Sequence, residues 1–286
     1  MSKKVLVTGA NGQLGKELRH ESSNYDYKFI FTDSSLLDVT DQDYVREFIE
    51  EHRPNYIINC AAYTNVDAAE EETHLSDAVN NKAVKTLATL AKEYKISLIH
   101  ISTDYVFSGE SSETYTESMF AQPENNYGKT KLAGERAVQD VNPANSIIIR
   151  TSWLYSKYGN NFVNKILELS SEHDILSIVV DQVGTPTWAR NLANFILDIL
   201  PKLQDIENVE VFHYSSEGEC SRYSFVKSIL EFANRECKIA PISSAEYKTT
   251  AKRPLHTVLC NNKVKKYFNI DIPHWRNSLK DCIIDL

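Results

Sequence analysis

The amino-acid sequence predicts an α/β fold in which a doubly wound parallel sheet is followed by a smaller α+β region. Short apolar runs rich in β-branched residues alternate with longer helical patterns, which is typical of a parallel sheet with helices on both faces. The first run leads through closely spaced glycines into a helical pattern, the order that a βαβ unit requires. A chain of 286 residues is long enough for one large domain and a smaller one.

The composition is that of a soluble globular protein, with 42% hydrophobic and 24% charged residues. A net charge of -8 argues against general nucleic-acid binding, and Lys and Arg form no long run. No segment approaches the roughly 18 apolar residues of a membrane span. The apolar segment after Met1 is also too short for a secretory signal. We therefore expect a cytoplasmic protein that has no nucleic-acid or membrane partner.

The cysteines indicate reduced thiols. Five of them are scattered along the chain, odd in number and without the spacing of metal ligands. Such usage is typical of a reducing compartment. We therefore expect no metal site.

A glycine-rich turn follows the first predicted strand, which covers residues 4–8. The turn reads Thr8-Gly9-Ala10-Asn11-Gly12-Gln13-Leu14-Gly15, and a helical pattern continues from Lys16 to Glu21. Glycines permit the tight turn and allow backbone N–H groups to approach a pyrophosphate at the positive end of the helix. A plain turn with glycines that pack a helix is the alternative. We interpret the segment as a Rossmann-type dinucleotide site.

The second predicted strand, over residues 28–32, ends at Asp33, about twenty residues beyond the glycine turn. A carboxylate at this point accepts hydrogen bonds from the ribose hydroxyls of NAD and repels a 2′-phosphate. The sequence therefore predicts a modest preference for NADH over NADPH. Asp38 and Val39 follow in a loop that is expected to border the adenine, whereas Asp41 is expected to cap a helix over residues 42–51.

The third and fourth predicted strands supply further candidate residues. The third runs from Tyr56 into Ala61, Ala62 and Tyr63, where small residues let a flat cofactor pass close to the backbone. A helix over residues 75–94 carries Asn80 and Asn81. A strand over residues 98–101 then runs into Ser102-Thr103, at the edge where open α/β sheets bind ligands. An ordinary β-branched strand residue is the alternative for Thr103.

Tyr127 and Lys131 lie four residues apart near the start of a helix predicted over residues 129–141. Residues at this spacing share one helix face, so the phenol and the ammonium can point into one pocket. A nearby cation stabilises a phenolate and lowers the pKa of a tyrosine from about 10. Such a tyrosine can donate a proton to a carbonyl oxygen during reduction. Taken alone the pair is weak, because it also occurs by chance in many helices.

Together, the glycine turn, the Ser102-Thr103 strand end and the Tyr127/Lys131 pair resemble the extended short-chain dehydrogenase/reductases, most of which act on nucleotide sugars. Longer motifs are similar to a branch of that family that reduces keto sugars carried on dTDP. These motifs occupy residues 102–107, 127–135, 150–153, 160–162, 181–187 and 253–254. The resemblance extends over nearly the whole chain.

The resemblance implies that a dTDP-linked 4-keto-6-deoxy sugar is reduced with NADH or NADPH. Tyr127 would protonate the oxygen, Lys131 would hold the nicotinamide ribose and lower the tyrosine pKa, and Thr103 would donate a hydrogen bond to the oxygen. The implied cofactor contacts are Gly9, Asn11, Gly12, Gln13, Leu14, Gly15, Asp33, Asp38, Val39, Ala61, Ala62, Tyr63, Asn80, Tyr127 and Lys131. The implied substrate contacts are Thr103, Asp104, Tyr105, Trp153, Asn161, Phe162, Gln182, Thr187 and Arg253.

The remaining patterns continue the α/β order. Strands are predicted over residues 146–150, 175–181 and 209–214, and helices over residues 162–171, 188–200, 222–235 and 275–284, with Ser221 as a helix cap. We expect residues 1–153 to bind the dinucleotide and residues 154–286 mainly to bind the substrate. The two parts are interleaved, because a late strand near residues 209–215 is expected to return to the first sheet.

Three alternatives from the same fold remain at this point. A dehydratase would carry an Asp-Glu pair after the threonine, whereas Asp104 is followed by Tyr105. An epimerase uses the same Tyr/Lys pair and retains its NAD. The regulatory β subunit of methionine adenosyltransferase has this fold and acts as a binding partner.

Some family members form dimers bridged by a metal through a carboxylate early in the helix after Pro-Thr. Arg190 stands there, so we expect a monomer or weak homodimer.

Overall fold

A six-stranded parallel sheet forms the centre of the computed structural model, which describes residues 2–286. The strands are β1 (Lys4–Thr8), β2 (Lys28–Phe31), β3 (Tyr56–Asn59), β4 (Ser97–Thr103), β5 (Ile147–Thr151), β6 (Leu154–Tyr155), β7 (Ile175–Val179), β8 (Val183–Gly184), β9 (Thr187–Trp188), β10 (Glu210–His213), β11 (Cys220–Ser221) and β12 (Lys238–Ile242). The sheet has the order β10-β5-β4-β3-β1-β2. The strand order reverses beside β1, and the predicted doubly wound parallel sheet is confirmed.

Helices cover both faces of this sheet and build most of the smaller region. They are α1 (Gln13–Glu21), α2 (Gln42–His52), α3 (Thr73–Asp77), α4 (Ala83–Tyr94), α5 (Asn126–Val141), α6 (Phe162–Glu172), α7 (Ala189–Ile199), α8 (Arg222–Phe232), α9 (Asn262–Phe268) and α10 (Trp275–Ile284). No helix within residues 2–286 is both long and apolar enough to cross a membrane.

Side chains alternate between the two faces along each strand, and helices cover both faces, so the sheet is buried on both sides. Val5 and Val7 of β1 point into an apolar layer that includes α1 and α7, whereas Leu6 points into the layer that includes α2, α4 and α5. A further cluster forms the core of the smaller region, where Phe225 of α8 is fully buried and packs against Trp275 of α10. This arrangement leaves the carboxyl ends of the central strands free to hold a ligand.

Several boundaries differ from the sequence prediction. Helices α1 and α5 both begin three residues earlier than predicted, which places Gly15 and Tyr127 inside the first turn of a helix. In α5 the cause is Asn125, whose side chain accepts a 2.8 Å hydrogen bond from the N–H of Gly128. The predicted caps Asp41 and Ser221 are confirmed, since each side chain accepts from a backbone N–H three residues later. Strand β12 and helix α9 were not predicted.

The helix predicted over residues 75–94 is interrupted. Residues 78–82 form one turn of π-helix between α3 and α4. At this turn, a Cβ atom on Gly134 of α5 would lie only 2.1 Å from the carbonyl oxygen of Asn80. The close approach of α5 explains why a glycine stands there, and π-turns are frequent near functional sites.

The late strand β10 pairs with β5 in the central sheet, with Glu210 opposite Ile147. Segments from the second half of the chain therefore contribute to both regions. The division into residues 1–153 and 154–286 stays a prediction.

Candidate active site

A cleft of about 760 Å³ lies at the carboxyl ends of β1, β3, β4 and β5. Open α/β sheets bind ligands where the strand order reverses, and the glycine turn after β1 faces the end of β3 at that point. The cleft brings together most residues expected to contact cofactor or substrate. Those that line it are Gly9, Asn11, Gly12, Gln13, Leu14, Gly15, Asp33, Asp38, Val39, Ala61, Ala62, Tyr63, Thr103, Asp104, Tyr105, Tyr127, Lys131 and Trp153.

The glycine turn is shaped by close backbone approaches. Gly9 has a φ of +64°, and a Cβ atom there would lie 2.6 Å from the backbone nitrogen of Ala61. A Cβ atom on Gly15 would lie 2.5 Å from the Cα of Ala10. At Gly12 a Cβ atom would meet only the Gly9 carbonyl oxygen, at 3.2 Å. The absence of a side chain at Gly9 and Gly15 thus allows the turn and the helix to pack closely. Gly12 keeps open space in front of α1.

These features fit a dinucleotide. Helix α1 begins after Gly12 without a side-chain cap, so the N–H groups of its first turn are free to face an anion. The Oε1 atom of Gln13 is buried without a hydrogen-bond partner at the same place. Gly9, Gly12 and Gly15 would hold the pyrophosphate, and Asp33 would meet the adenosine ribose.

The Asp33 side chain is held by its own loop. Its Oδ1 atom accepts hydrogen bonds from the Ser35 hydroxyl at 2.6 Å, the Ser35 N–H at 3.0 Å and the Leu36 N–H at 3.2 Å. Its Oδ2 atom accepts from the amide of Asn11 in the glycine turn. The hydrogen bond from the Ser35 hydroxyl is the main reason that the pKa of Asp33 is lowered. The carboxylate therefore stays ionised at the edge of the cleft.

The three proposed catalytic side chains meet at the inner end of the cleft. Thr103 ends β4, whereas Tyr127 and Lys131 lie on consecutive turns of α5. Gly128 allows this approach, since a Cβ atom there would lie 2.2 Å from the Tyr105 carbonyl oxygen. The rings of Tyr105 and Tyr127 stand edge to face with centroids 5.8 Å apart.

Burial controls the protonation of Tyr127 and Lys131. It raises the pKa of Tyr127, while the side chain of Thr103 opposes the rise. It lowers the pKa of Lys131 to about 8, while Glu135 opposes the fall. The Lys131 ammonium donates a 2.6 Å hydrogen bond to the Ile101 carbonyl oxygen. The pKa of Tyr127 is therefore raised and not lowered as the sequence predicted, because loss of water around the phenol dominates.

Thr103 is also engaged more firmly than the sequence suggested. Its hydroxyl donates to Oδ1 of Asp104 at 3.1 Å and accepts from the N–H of Tyr105 at 3.2 Å. The Oδ2 atom of Asp104 accepts a 2.6 Å hydrogen bond from Thr257, which lies 153 residues away in sequence. Burial raises the pKa of Asp104 to about 6, although these two hydroxyls oppose the rise. Asp104 thus orients Thr103 within the cleft.

Six of the predicted contact residues do not line the cleft. Asn80 is fully buried, and its amide binds the backbone N–H and carbonyl of Tyr63 at 2.9 and 3.0 Å. Asn161 caps α6 by accepting from the N–H of Asn164. Both residues support cleft segments from behind. Direct contacts by these residues stay predictions, as do those by the remaining four, which are Phe162, Gln182, Thr187 and Arg253.

Arg253 lies in the loop before α9 and pairs with Asp67 at 2.5 Å. Its side chain is 25% exposed. Burial alone would lower the pKa of Arg253, but Tyr105 and Asp67 raise it. The guanidinium is therefore a charged group held near Tyr105 at the rim of the cleft.

Arg222 also lines the cleft, although no sequence pattern predicted it. As the residue after the Ser221 cap it resembles any first residue of a helix, and no local signal distinguishes it. Its guanidinium carbon lies 3.5 Å from the centre of the Trp153 ring system and 4.7 Å from that of Phe162. Trp153 itself has a φ of +44°, which turns the chain out of the sheet after β5.

Comparison with known proteins agrees with this geometry. The sequence pattern of the RmlD substrate binding domain family matches residues 3–286. A dTDP-4-dehydrorhamnose reductase from Aggregatibacter actinomycetemcomitans is 39% identical over 287 residues, covering 97% of each chain. A dTDP-4-keto-6-deoxy-D-glucose reductase from Streptomyces niveus is 35% identical over 98% of this chain and 96% of its own.

Among solved structures, the dTDP-4-dehydrorhamnose reductase of Bacillus anthracis in complex with NADP superposes with a TM-score of 0.95. It is 37% identical, and the match covers 100% of both chains. The similarity therefore extends over the sheet, the cleft and the smaller region alike.

Proposed function

The chain belongs to the RmlD substrate binding domain family, and from this premise we propose that it is a dTDP-4-dehydrorhamnose reductase. It reduces the 4-keto group of dTDP-4-dehydro-L-rhamnose to give dTDP-L-rhamnose, with NADH or NADPH as the reductant. The observation that carries the proposal is the convergence of Thr103, Tyr127 and Lys131 at the inner end of a cleft that begins at the glycine turn.

The cofactor, when bound, supplies the hydride. Tyr127 donates a proton to the developing alkoxide, and its raised pKa keeps the phenol protonated and ready to act as the acid. Lys131, fixed on the Ile101 carbonyl, provides positive charge beside the site below about pH 8. Thr103 and Asp104 orient the groups around the carbonyl oxygen. Burial of these groups strengthens each polar interaction.

Oxidation of added NADH or NADPH by dTDP-4-dehydro-L-rhamnose, followed at 340 nm with identification of the product sugar, tests the proposal. A reductase consumes cofactor and substrate in equal amounts. An epimerase that retains its NAD would produce no net oxidation, and a dehydratase would not use this keto sugar. A regulatory subunit would show no turnover. Absence of cofactor oxidation with active substrate would contradict the proposal.

A second candidate is reduction of a different dTDP-4-keto sugar. The Streptomyces niveus relative, named for dTDP-4-keto-6-deoxy-D-glucose, favours this candidate. The two sugars differ in stereochemistry and not in charge, so their kcat/KM values have to be compared directly. A higher value for dTDP-4-keto-6-deoxy-D-glucose would assign that substrate instead.

We predict a modest preference for NADH over NADPH, roughly five- to thirtyfold in kcat/KM at low salt. The ionised Asp33 at the edge of the cleft accepts from the 2′-hydroxyl and repels a 2′-phosphate. The guanidinium of Arg19 stacks 4.7 Å from the ring of Phe31, at the end of the same strand, and limits this repulsion. The preference should shrink as salt is raised, and Asp33→Ala should remove it.

The control for this prediction is Asp26→Ala. Asp26 is an exposed carboxylate just before the first residue of β2, at the other end of the strand from Asp33. The substitution should leave the cofactor ratio unchanged. A wild-type enzyme that prefers NADPH, or an unchanged ratio in Asp33→Ala, would show that Asp33 does not contact the ribose.

Arg253→Ala should weaken binding of dTDP by about ten- to a hundredfold, with less effect on NADH binding. Pairing with Asp67 through one nitrogen leaves other donors of the guanidinium for the substrate diphosphate. A lost charge-assisted hydrogen bond costs about 1.5 to 3 kcal/mol. Calorimetric titration with dTDP measures the change.

The matched control is Lys252→Ala, because Lys252 is the neighbouring cation and pairs with Glu124. Equal dTDP affinity in Arg253→Ala and the control would leave Arg253 a structural partner of Asp67.

A further inference from the structure

Arg222 is a half-buried cation without a protein partner. Within residues 2–286 its guanidinium has no hydrogen-bond acceptor and no ion-pair partner. By contrast, Arg150, Arg190 and Arg253 each pair with a carboxylate at 2.5 to 2.9 Å. Burial lowers the pKa of Arg222, and the nearby Tyr105 and Asp104 only partly oppose this effect. The protein therefore holds a positive charge in the cleft that its own groups do not neutralise.

The surroundings of Arg222 restrict where a partner can come from. Trp153 and Phe162 lie over the guanidinium at 3.5 and 4.7 Å. A guanidinium placed over a ring presents its face to that ring and keeps its N–H edges as the route to a ligand. The Asp104 carboxyl raises the pKa of Arg222, but its two oxygens already accept hydrogen bonds from Thr257 and Thr103. The N–H edges are thus available to the cleft that Arg222 lines.

A second cation lies nearby. Arg253 is close enough to lower the pKa of Arg222 further. Two arginines that repel each other beside one cleft are costly unless an anion binds there. Under the proposed function, the only charged part of the substrate is its diphosphate, and an arginine fork matches phosphate oxygens in geometry and charge.

We propose that Arg222 binds the sugar-linked phosphate of the nucleotide-sugar substrate. The assignment rests on the proposed function, because it requires a nucleoside diphosphate sugar in the cleft. Arg222 stacks on Trp153 and lies near Asp104, which binds the Thr103 hydroxyl, so it is nearer to the reacting sugar than to the nucleoside. Arg253, paired with Asp67 at the rim, is left for the other side of the diphosphate.

Calorimetric titration of Arg222→Gln with dTDP and with dTMP tests the assignment. Only dTDP carries the phosphate to which the sugar is attached. We expect dTDP affinity to fall by about ten- to a hundredfold and dTMP affinity to change less than about threefold. Arg222→Lys keeps the charge but loses the planar fork, so its dTDP affinity should lie between those of wild type and Arg222→Gln.

The matched control is Arg276→Gln. The Arg276 guanidinium also stacks on an aromatic ring, 4.8 Å from Phe232, but it pairs with the exposed Glu231 away from the cleft residues. It should bind dTDP as wild type does. Unchanged NADH binding, followed by fluorescence, and an unchanged Tm show that each variant is folded.

The outcomes separate this assignment from the proposed function. Equal dTDP affinity in wild type and Arg222→Gln overturns the assignment while leaving the reductase proposal intact. Equal losses of dTDP and dTMP affinity in Arg222→Gln also overturn it, because dTMP lacks the sugar-linked phosphate and Arg222 would then act on another part of the nucleotide. A wild-type protein that binds neither dTDP nor the keto sugar overturns the proposed function, and the assignment with it.

Discussion

Replacing Tyr127 with phenylalanine should lower kcat by about a hundredfold or more and leave NADH affinity unchanged. The substitution removes only the phenolic oxygen, which is the proposed proton donor. The ring still packs edge to face against Tyr105, with centroids 5.8 Å apart, so the shape of the cleft is preserved. Steady-state kinetics with the keto sugar and fluorescence titration with NADH measure the two effects separately.

The control is Tyr214→Phe. Tyr214 is a buried tyrosine outside the cleft, and its hydroxyl donates to the Asn191 carbonyl oxygen at 3.1 Å. Loss of this phenol should leave kcat near the wild-type value. If Tyr127→Phe also turned over at a near-normal rate, Tyr127 would not be the acid.

Replacing Glu135 with glutamine should lower the free energy of unfolding by about 3 to 5 kcal/mol, because it leaves a buried arginine without its counter-charge. Glu135 is 1% exposed and accepts hydrogen bonds from the Nε and Nη2 atoms of Arg150, which is 6% exposed, at 2.9 and 2.6 Å. It also accepts from the hydroxyl of Ser102 at 2.5 Å. The pair thereby joins α5 to β4 and β5 directly behind Thr103 and Lys131. Urea denaturation measures the loss.

Two further variants show whether the effect comes from the unpaired charge. Glu135→Leu combined with Arg150→Met removes both charges and should recover much of the lost stability, since replacing a whole buried pair is often neutral. Glu231→Gln breaks the exposed pair with Arg276 and should cost less than about 1 kcal/mol. A loss in Glu135→Gln no larger than in Glu231→Gln would show that the buried pair does not stabilise the fold.

Glu135 also connects stability with the site. It lies one helical turn after Lys131 and raises the pKa of that lysine, against the larger effect of burial. In Glu135→Gln, Lys131 should therefore lose its charge at lower pH than in wild type. Tyr127, Lys131 and Glu135 follow one face of α5 at four-residue intervals.

The sequence by itself determined the features that depend on neighbouring residues. Strand β1 and the glycine turn can be recognised from neighbouring residues alone. A tight turn and a close approach of the helix leave no room for side chains at fixed positions, so glycines occur there at a fixed spacing. The caps Asp41 and Ser221 were predicted correctly for the same reason, since each bonds a backbone N–H three residues away. The Tyr127/Lys131 spacing likewise follows from the period of the helix.

Tertiary structure alone decided the features that depend on burial and on partners distant in sequence. Asp104 binds Thr257, Arg253 binds Asp67, and Arg222 stacks on Trp153, all across more than 60 residues of chain. The direction of the Tyr127 pKa shift was predicted wrongly because spacing shows a nearby cation but not the water excluded around the phenol. The charge of a side chain is local in sequence, whereas the free energy of holding that charge depends on everything packed around it.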